Sequence, residues 1–249
     1  MISQNKIKQI QSLKTKKGRT KEGMFLIEGA RCISSFLEHS DDLKELFFVR
    51  SFTLANKNII NLCEEHNIPH TIISGKVMKN ISDTKTPCGV LGVSRFRPLP
   101  ELNLNSKRWL YLYKISDPGN LGTLLRSAAW FDIKNIALSK DSTDPYSPKT
   151  IRSATGAHSH LNIYQEVDLQ TYLGHGYFLL GTDQNSDNRL EDLDYNKKIV
   201  LFLGNESEGI KISIKKKMDK LISIEKLGHG ESLNVAIAGS IIMNKLTIK

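Results

Sequence analysis

The residues best suited to chemistry in this 249-residue chain lie in three short stretches. They are Asn120 and Arg126 in DPGNLGTLLRSAAWF (117–131), Asn205 and Glu206 in LFLGNESEG (201–209), and Ser232 and Asn234 in GHGESLNVAIAG (228–239). Each stretch joins the end of an apolar, strand-like run to the start of a helix-like run. Glycines there let the backbone turn tightly and let a ligand approach. The carboxamides, hydroxyl, carboxylate and guanidinium can then orient a polar ligand. Each group also has a purely local use. Asn120 is placed to cap the helix after it and Ser232 to cap the last helix. Glu206 suits a helix N-terminus. Arg126, among Leu124, Leu125, Ala128 and Ala129, can lie along a helix surface. Asn234 falls in the first turn of the last helix, with its amide free to reach a ligand.

The elements that must hold these turns can be read from hydrophobic pattern. Strand-like runs at 109–115, 135–139, 177–182, 198–204 and 220–224 alternate with helix-like runs at 121–131, 147–157, 168–174, 210–218 and 232–246. That alternation predicts an α/β domain over 108–249 with a mainly parallel sheet and helices on both faces. Ligands of such sheets sit beyond the carboxyl ends of the strands, where the Gly-rich turns are. Residues 1–95 read as a smaller α/β unit. It has a basic amphipathic helix at 5–15, strands at 24–27, 43–49, 71–73 and 90–93, and helices at 28–39 and 54–65. Residues 96–107, with two prolines and no clear period, read as a linker.

Composition narrows the class. Hydrophobic residues make up 39% of the chain, enough for a core. No run approaches the ~18 apolar residues of a membrane span, and the N-terminus lacks the apolar core of a secretory signal. Cys32, Cys63 and Cys88 have no zinc or redox spacing and read as reduced thiols of a cytoplasmic protein. His158 and His160 read as an ordinary strand-end pair, so no metal is expected. No G-x-G-x-x-G follows the first strand of 108–249, and no G-x-x-x-x-G-K-[ST] occurs, so dinucleotide and P-loop chemistry lose their main support. The net charge is +9, and residues 1–107 carry 17 Lys and Arg against 10 Asp and Glu, while 108–249 carry 18 against 16. The densest cluster, Lys14, Lys16, Lys17, Arg19 and Lys21, suits a phosphate backbone or is a solvated basic face.

The three stretches together resemble the SpoU (TrmH-like) branch of the SPOUT RNA methyltransferases. N-x-G-x-x-x-R-[ST]-A, the Gly-x-Glu with a Gly three residues on, and S-L-N-V match that family's three motifs. YSPKTIRSATGA (146–157) resembles its segment between the first two motifs, and GMFLIEGAR (23–31) resembles the opening of the small ribosomal-protein-like RNA-binding domain that precedes many members. Two positions depart from the pattern: Glu225–Lys226 replaces Pro-Met before the third motif, and Asp132 stands where Gly is frequent. The resemblance implies a C-terminal trefoil knot, a homodimer, S-adenosylmethionine as cofactor and methylation of a ribose 2′-hydroxyl in structured RNA, rRNA before tRNA. It implies Arg126, Asn120, Glu206, Ser232 and Asn234 as the catalytic set and Thr182, Gly204, Asn205, Ile224 and Leu233 around the cofactor. Lys149 and Arg152, with the basic cluster, are implied as RNA contacts. A guanidinium stays protonated in proteins, so Arg126 is read as a cation that stabilises developing alkoxide charge rather than as a base. The competing readings are a non-catalytic RNA-binding or ribosome-assembly factor of the same fold and an unrelated small-molecule α/β enzyme. The intact motif residues stand against the first, and the basic N-terminal part against the second.

Overall fold

The computed structural model describes residues 2–190 and 197–247. It divides into two compact units, Met1–Pro98 with Asp144–His160, and Leu99–Thr143 with Leu161–Lys249.

The first unit is built on a four-stranded sheet of β1 (Met24–Glu28), β2 (Leu43–Val49), β3 (His70–Ile73) and β4 (Val90–Arg95), in the order β1-β4-β2-β3. β4 is antiparallel to β1 and β2, and β2 is parallel to β3. Its helices are α1 (Gln4–Ser12), α2 (Lys16–Glu22), α3 (Ala30–His39), α4 (Arg50–Ala55), α5 (Lys57–Glu65), α6 (Gly75–Ile81) and α8 (Pro148–Ala154). One sheet face packs on Ile33, Phe36, Ile59 and Cys63, the other on Ile7, Ile10, Leu13, Met78 and Ile81. The helix expected over 5–15 ends at Ser12, and the basic residues form a separate helix capped by Thr15, whose hydroxyl accepts from Gly18 N–H. A Cβ at Gly18 would lie 2.0 Å from the Ser12 carbonyl oxygen, so only glycine permits this corner. The helix expected over 54–65 is interrupted at Asn56, and α6 gave no clear hydrophobic period.

The segment Asp144–His160, placed in the C-terminal domain by sequence pattern, packs with the first unit. α8 follows the Ser147 cap, Ile151 enters the core beside Phe25 and Ile33, and Tyr146 lies 4.9 Å from the Phe25 ring. The stretch 96–107 is not a free linker. Phe96 stacks on Phe25 at 5.5 Å in the first unit, and Leu102 and Leu104 pack on the aromatic core of the second.

The second unit has six parallel strands: β5 (Arg108–Leu112), β6 (Asn135–Leu138), β7 (Asn162–Tyr164), β8 (Tyr177–Thr182), β9 (Lys198–Leu203) and β10 (Lys220–Ile222), in the order β10-β8-β9-β5-β6-β7. β7, three residues long, escaped the pattern reading. The chain runs from β5 outward to β7, returns at β8, and brings β9 against β5. The switch in strand direction of travel therefore falls between β5 and β9, where open α/β sheets bind ligands. α7 (Pro118–Trp130) and α10 (Val235–Thr247) pack together, with Gly239 against Leu124 and Leu203; the short α9 (Ile212–Lys215) precedes β10. On the other face, Trp109, Tyr111, Tyr172, Tyr177 and Phe202 form an aromatic core. Among the described residues no helix is long and apolar enough to cross a membrane.

Candidate active site

Three turns meet at the carboxyl ends of β5, β9 and β10. The first is fixed by its sequence: Asp117 caps α7, its carboxylate accepting from Asn120 N–H at 2.9 Å, and Pro118 opens the helix, where a missing N–H costs nothing. Asn120 therefore does not cap α7, as its spacing suggested, and its side chain is left for another use. The second turn follows β9. Gly204 lies so close to Gly209 that a Cβ would come within 2.5 Å of its carbonyl carbon. Here glycine serves packing of the turn rather than approach of a ligand. Asn205 and Gly209 exchange backbone hydrogen bonds at 2.9 and 3.2 Å. The Asn205 carboxamide accepts from Ser207 and Glu208 N–H and donates to the Lys114 carbonyl at 2.8 Å. Asn205 thus ties the second turn to the first.

Glu206 is the hub. It accepts from Ser116 N–H at 3.3 Å, Ser116 Oγ at 3.0 Å, Asp117 N–H at 3.3 Å and Asn120 Nδ2 at 3.1 Å. Partial burial pushes its pKa up, but its backbone and the donors from Asn120 and Ser116 outweigh that and hold it below the usual carboxylate range. Asn120 Oδ1 in turn accepts from Asn234 Nδ2 at 2.9 Å. Asn234 Oδ1 accepts from Ala236 N–H at 2.9 Å and Ile237 N–H at 3.4 Å, so Asn234, not Ser232, caps the last helix.

The direction of this chain is fixed from both ends. A carboxylate only accepts and a helix N-terminal N–H only donates. Asn120 must turn its NH2 to Glu206 and its oxygen to Asn234, and Asn234 must turn its NH2 to Asn120 and its oxygen to the helix. One hydrogen-bonded line therefore joins all three motifs.

Other predicted residues stand differently. Arg126 is exposed on α7 and has no hydrogen bond or ion pair among the described residues. Ser232 and Leu233 are exposed in the turn before α10, and Ser232 has no side-chain partner there. Thr182 and Ile224 sit at and just beyond the ends of the neighbouring strands β8 and β10, in register through Ile222–Thr182; Thr182 Oγ1 donates to the Phe202 carbonyl at 3.4 Å. Leu227, 91% exposed, and Leu233, 52% exposed, leave apolar surface open in the third turn. Glu225 of the departing pair bonds Arg189 at 3.2 Å. Sequence reasoning missed Ser116 and the capping role of Asp117. The Asp-Pro pair signalled that cap; nothing in the sequence signalled Ser116.

In the first unit, the basic cluster needs correction. Arg19 is 3% exposed; its guanidinium donates to the Leu13 carbonyl at 2.8 Å and pairs with Asp144. Lys14 donates to the Asn80 and Ser82 carbonyls at 3.0 and 2.6 Å. Lys16, Lys17 and Lys21 are exposed. Arg152 pairs with Asp83 at 3.0 Å and faces Glu28 at 3.8 Å, a structural tie; Lys149 is exposed. His158 lies in a buried 3-10 turn rather than at a strand end. Its Nε2 donates to the Pro145 carbonyl at 2.8 Å, and burial pushes its pKa down to about 4. Among the described residues no cluster of His, Cys, Asp and Glu is arranged for a metal.

The SpoU rRNA Methylase family model matches residues 107–244, and a model of the MRM3-like substrate binding domain matches residues 4–92. The 23S rRNA (guanosine(2553)-2′-O)-methyltransferase RlmP of Bacillus subtilis is 29% identical over 246 residues, covering 97% of this chain and 95% of that one. The 23S rRNA (uridine(2479)-2′-O)-methyltransferase of Streptomyces viridochromogenes is 26% identical, covering 90% and 83%. Among solved structures, a putative RNA methyltransferase of the TrmH family from Porphyromonas gingivalis is 26% identical with TM-score 0.83, covering 99% and 98%. The AviRb methyltransferase of Streptomyces viridochromogenes, solved with AdoMet, shares the fold with TM-score 0.86 at 23% identity, covering 98% and 97%.

Proposed function

The chain belongs to the SpoU rRNA methylase family, and on that footing we propose that it transfers a methyl group from S-adenosylmethionine to a ribose 2′-hydroxyl of ribosomal RNA. The observation that carries this reading is the Glu206–Asn120–Asn234 line, which holds the three motif turns together at the sheet's switch point.

The site suits the cofactor. Thr182, Gly204 and Ile224 follow one another at adjacent strand ends, and Leu227 and Leu233 offer uncovered apolar surface for an adenosine. When bound, S-adenosylmethionine would supply a sulfonium methyl for in-line displacement by the 2′-oxygen, leaving as the neutral thioether, with the hydroxyl proton passing to solvent. The acceptor hydroxyl is a weak nucleophile, so the residues around it must favour loss of its proton. Arg126, exposed and without a partner among the described residues, is free to supply a cation for the developing alkoxide and the adjoining phosphate. Glu206 is a poor base, because its hydrogen bonds favour the ionised form; it is a positioning residue. Ser232 lies free to reach the ribose, and Asn120 and Asn234 hold the turns beside it.

The family's trefoil knot through the second and third motifs belongs to this reading, as do the cytoplasm as the place of action and the homodimer. For the dimer the support is local. Trp130 on α7 is 83% exposed, and Ile237 and Ile241 on α10 are 54% and 38% exposed, on two helices joined by the Ser127–Ser240 hydroxyl contact of 2.7 Å.

Calorimetry and turnover on rRNA test the roles together. The wild type binds S-adenosylmethionine, and Arg126→Ala binds it with nearly the same affinity but loses at least ~100-fold in the chemical step. Arg126→Lys fails too, since a point charge does not replace a planar fork. Wild-type turnover by Arg126→Ala would remove Arg126 from the chemistry.

A further inference from the structure

In the first unit, the carboxyl ends of β2 and β3 and the amino end of β4 share one sheet edge: Val49 pairs with Ile73, and Val49 N–H donates to the Gly89 carbonyl at 2.9 Å. That edge opens into a cavity of about 400 Å³, lined by Val49, Arg50, Ser51, Ile73, Met78 and Pro87, with Ser74, Gly75 and Gly89. Its volume lies at the small end of the ~300–1,000 Å³ range of ligand sites. Val49 and Pro87, both half-buried, give it apolar surface above the buried Ile73 and Met78. Arg50 is exposed, and neither its guanidinium nor the Ser51 hydroxyl has a partner among the described residues. Lys76 and Lys79, on the helix that starts at Gly75, are likewise exposed and unpaired among them.

The segments that line the cavity, 49–51, 73–78 and 87–89, contain Arg50 and Lys76 and no Asp or Glu. Residues 46–63 contain Arg50 and Lys57 and no Asp or Glu. Residues 66–100 contain Lys76, Lys79, Lys85, Arg95 and Arg97 against Asp83 alone, and Asp83 is paired with Arg152. An open groove of this size, lined by both polar and apolar groups beside free cations and with no free carboxylate in these segments, suits a flat ring with polar edges that carries an anionic group.

We infer that this cavity receives one unpaired nucleotide of the RNA substrate, its base against Val49 and Pro87 and its phosphate beside Arg50. The inference rests on the RNA-methylating reading above and names where the first unit grips that RNA. It adds to the exposed Lys16, Lys17 and Lys21 of the α2 cluster, where Arg19 and Lys14 are engaged in the fold, a second set of free cations. Recognition of bases splayed out of single strands and loops is the usual way proteins read RNA.

The test uses the full-length protein and fluorescein-labelled ten-nucleotide probes, single-stranded oligo(U) and oligo(A) and an RNA duplex, read by anisotropy. Two variants address the cavity differently. Arg50→Ala removes the cation. Gly75→Phe fills the space; the first carbon of a side chain there meets no atom within 4 Å. Each is expected to weaken single-strand binding about tenfold, the scale of one stacked or clamped base, and to leave duplex binding nearly unchanged. Arg50→Ala should also lower the salt slope for the single strand by about 0.7. Adenosine and uridine monophosphates, added as competitors, separate a site for free nucleotides from one for RNA: displacement of the probe at micromolar monophosphate overturns the RNA assignment. Wild-type affinity of both variants for the single strands overturns the cavity, and so does a wild type that binds none of the probes. Cofactor binding and methyl transfer, measured on the same samples, judge the catalytic reading separately. Unchanged melting temperature and cofactor affinity show that the variants are folded.

Discussion

Glu206 shows how much of the site depends on one ionised group. Its oxygens accept from Ser116, Asp117 and Asn120, and through Asn120 it sets the direction of Asn234. Its folded-state pKa lies below the ordinary glutamate value. A depressed carboxyl contributes stability that is fully present above its unfolded pKa, about 4.3, and is lost as pH falls through the lower folded value. Glu206→Gln keeps the shape but offers one acceptor where two are needed, so a donor faces a donor. The variant is expected to melt lower than wild type at pH 7, and the gap should close on acidification below about pH 4. A gap that stays constant between pH 7 and pH 3 in thermal melts would show that the charge of Glu206 does not hold the turns. The motif spacing picked out Asn120, Glu206 and Asn234 as candidates. It did not reveal that they touch one another, because contacts between residues 86 and 114 positions apart follow from strand order. Arg19 was misread for a related reason: a basic residue on a short helix looks solvated until Asp144 is brought beside it.

At the scale of elements, the caps of the two helices that flank the site lie three and two residues from where pattern placed them. Asp117 and Asn234 hold the positions that spacing offered to Asn120 and Ser232. Apolar periodicity located α7 and α10 themselves, since Leu121, Leu124, Leu125 and Ala128, and Ala236, Ile242, Met243 and Leu246, are buried at helical intervals. It is silent on which of several polar residues takes the first free N–H groups. Asn234→Ala removes both the cap and the bond to Asn120, and is expected to cost about 1 kcal/mol or slightly more in denaturant titration. Ser232→Ala should leave stability within about 0.5 kcal/mol while lowering turnover. Equal destabilisation by the two substitutions would contradict the observed cap. β7 (NIY) and α6 (GKVMKNI) show no clear apolar period, and pattern did not pick them out.

Across the molecule, the parallel sheet of the second unit and the smaller α/β unit before it were legible, because long apolar strands alternate with helices. The return of Asp144–His160 to the first unit was not. Its apolar residues, Ile151 and Tyr146, have the same pattern whichever core they enter, and only the partners Phe25, Ile33 and Phe96 decide. The exposed Trp130, Ile237 and Ile241 make a prediction at this scale. The homodimer proposed above predicts that the wild type sediments as a dimer at micromolar concentration and Trp130→Glu with Ile241→Glu as a monomer; a monomeric wild type, or a variant with an unchanged sedimentation coefficient, would contradict that contact. A 2′-O-methyl group blocks alkaline cleavage of the adjoining phosphodiester, because the neighbouring hydroxyl is the attacking group. The direct measurement is to incubate the protein with methyl-labelled S-adenosylmethionine and unmodified large-subunit rRNA, hydrolyse the RNA in alkali, and separate the products. The account predicts label in one alkali-resistant dinucleotide, absent with Arg126→Ala. Label in mononucleotides, which marks a methylated base, or no incorporation at all, would contradict it.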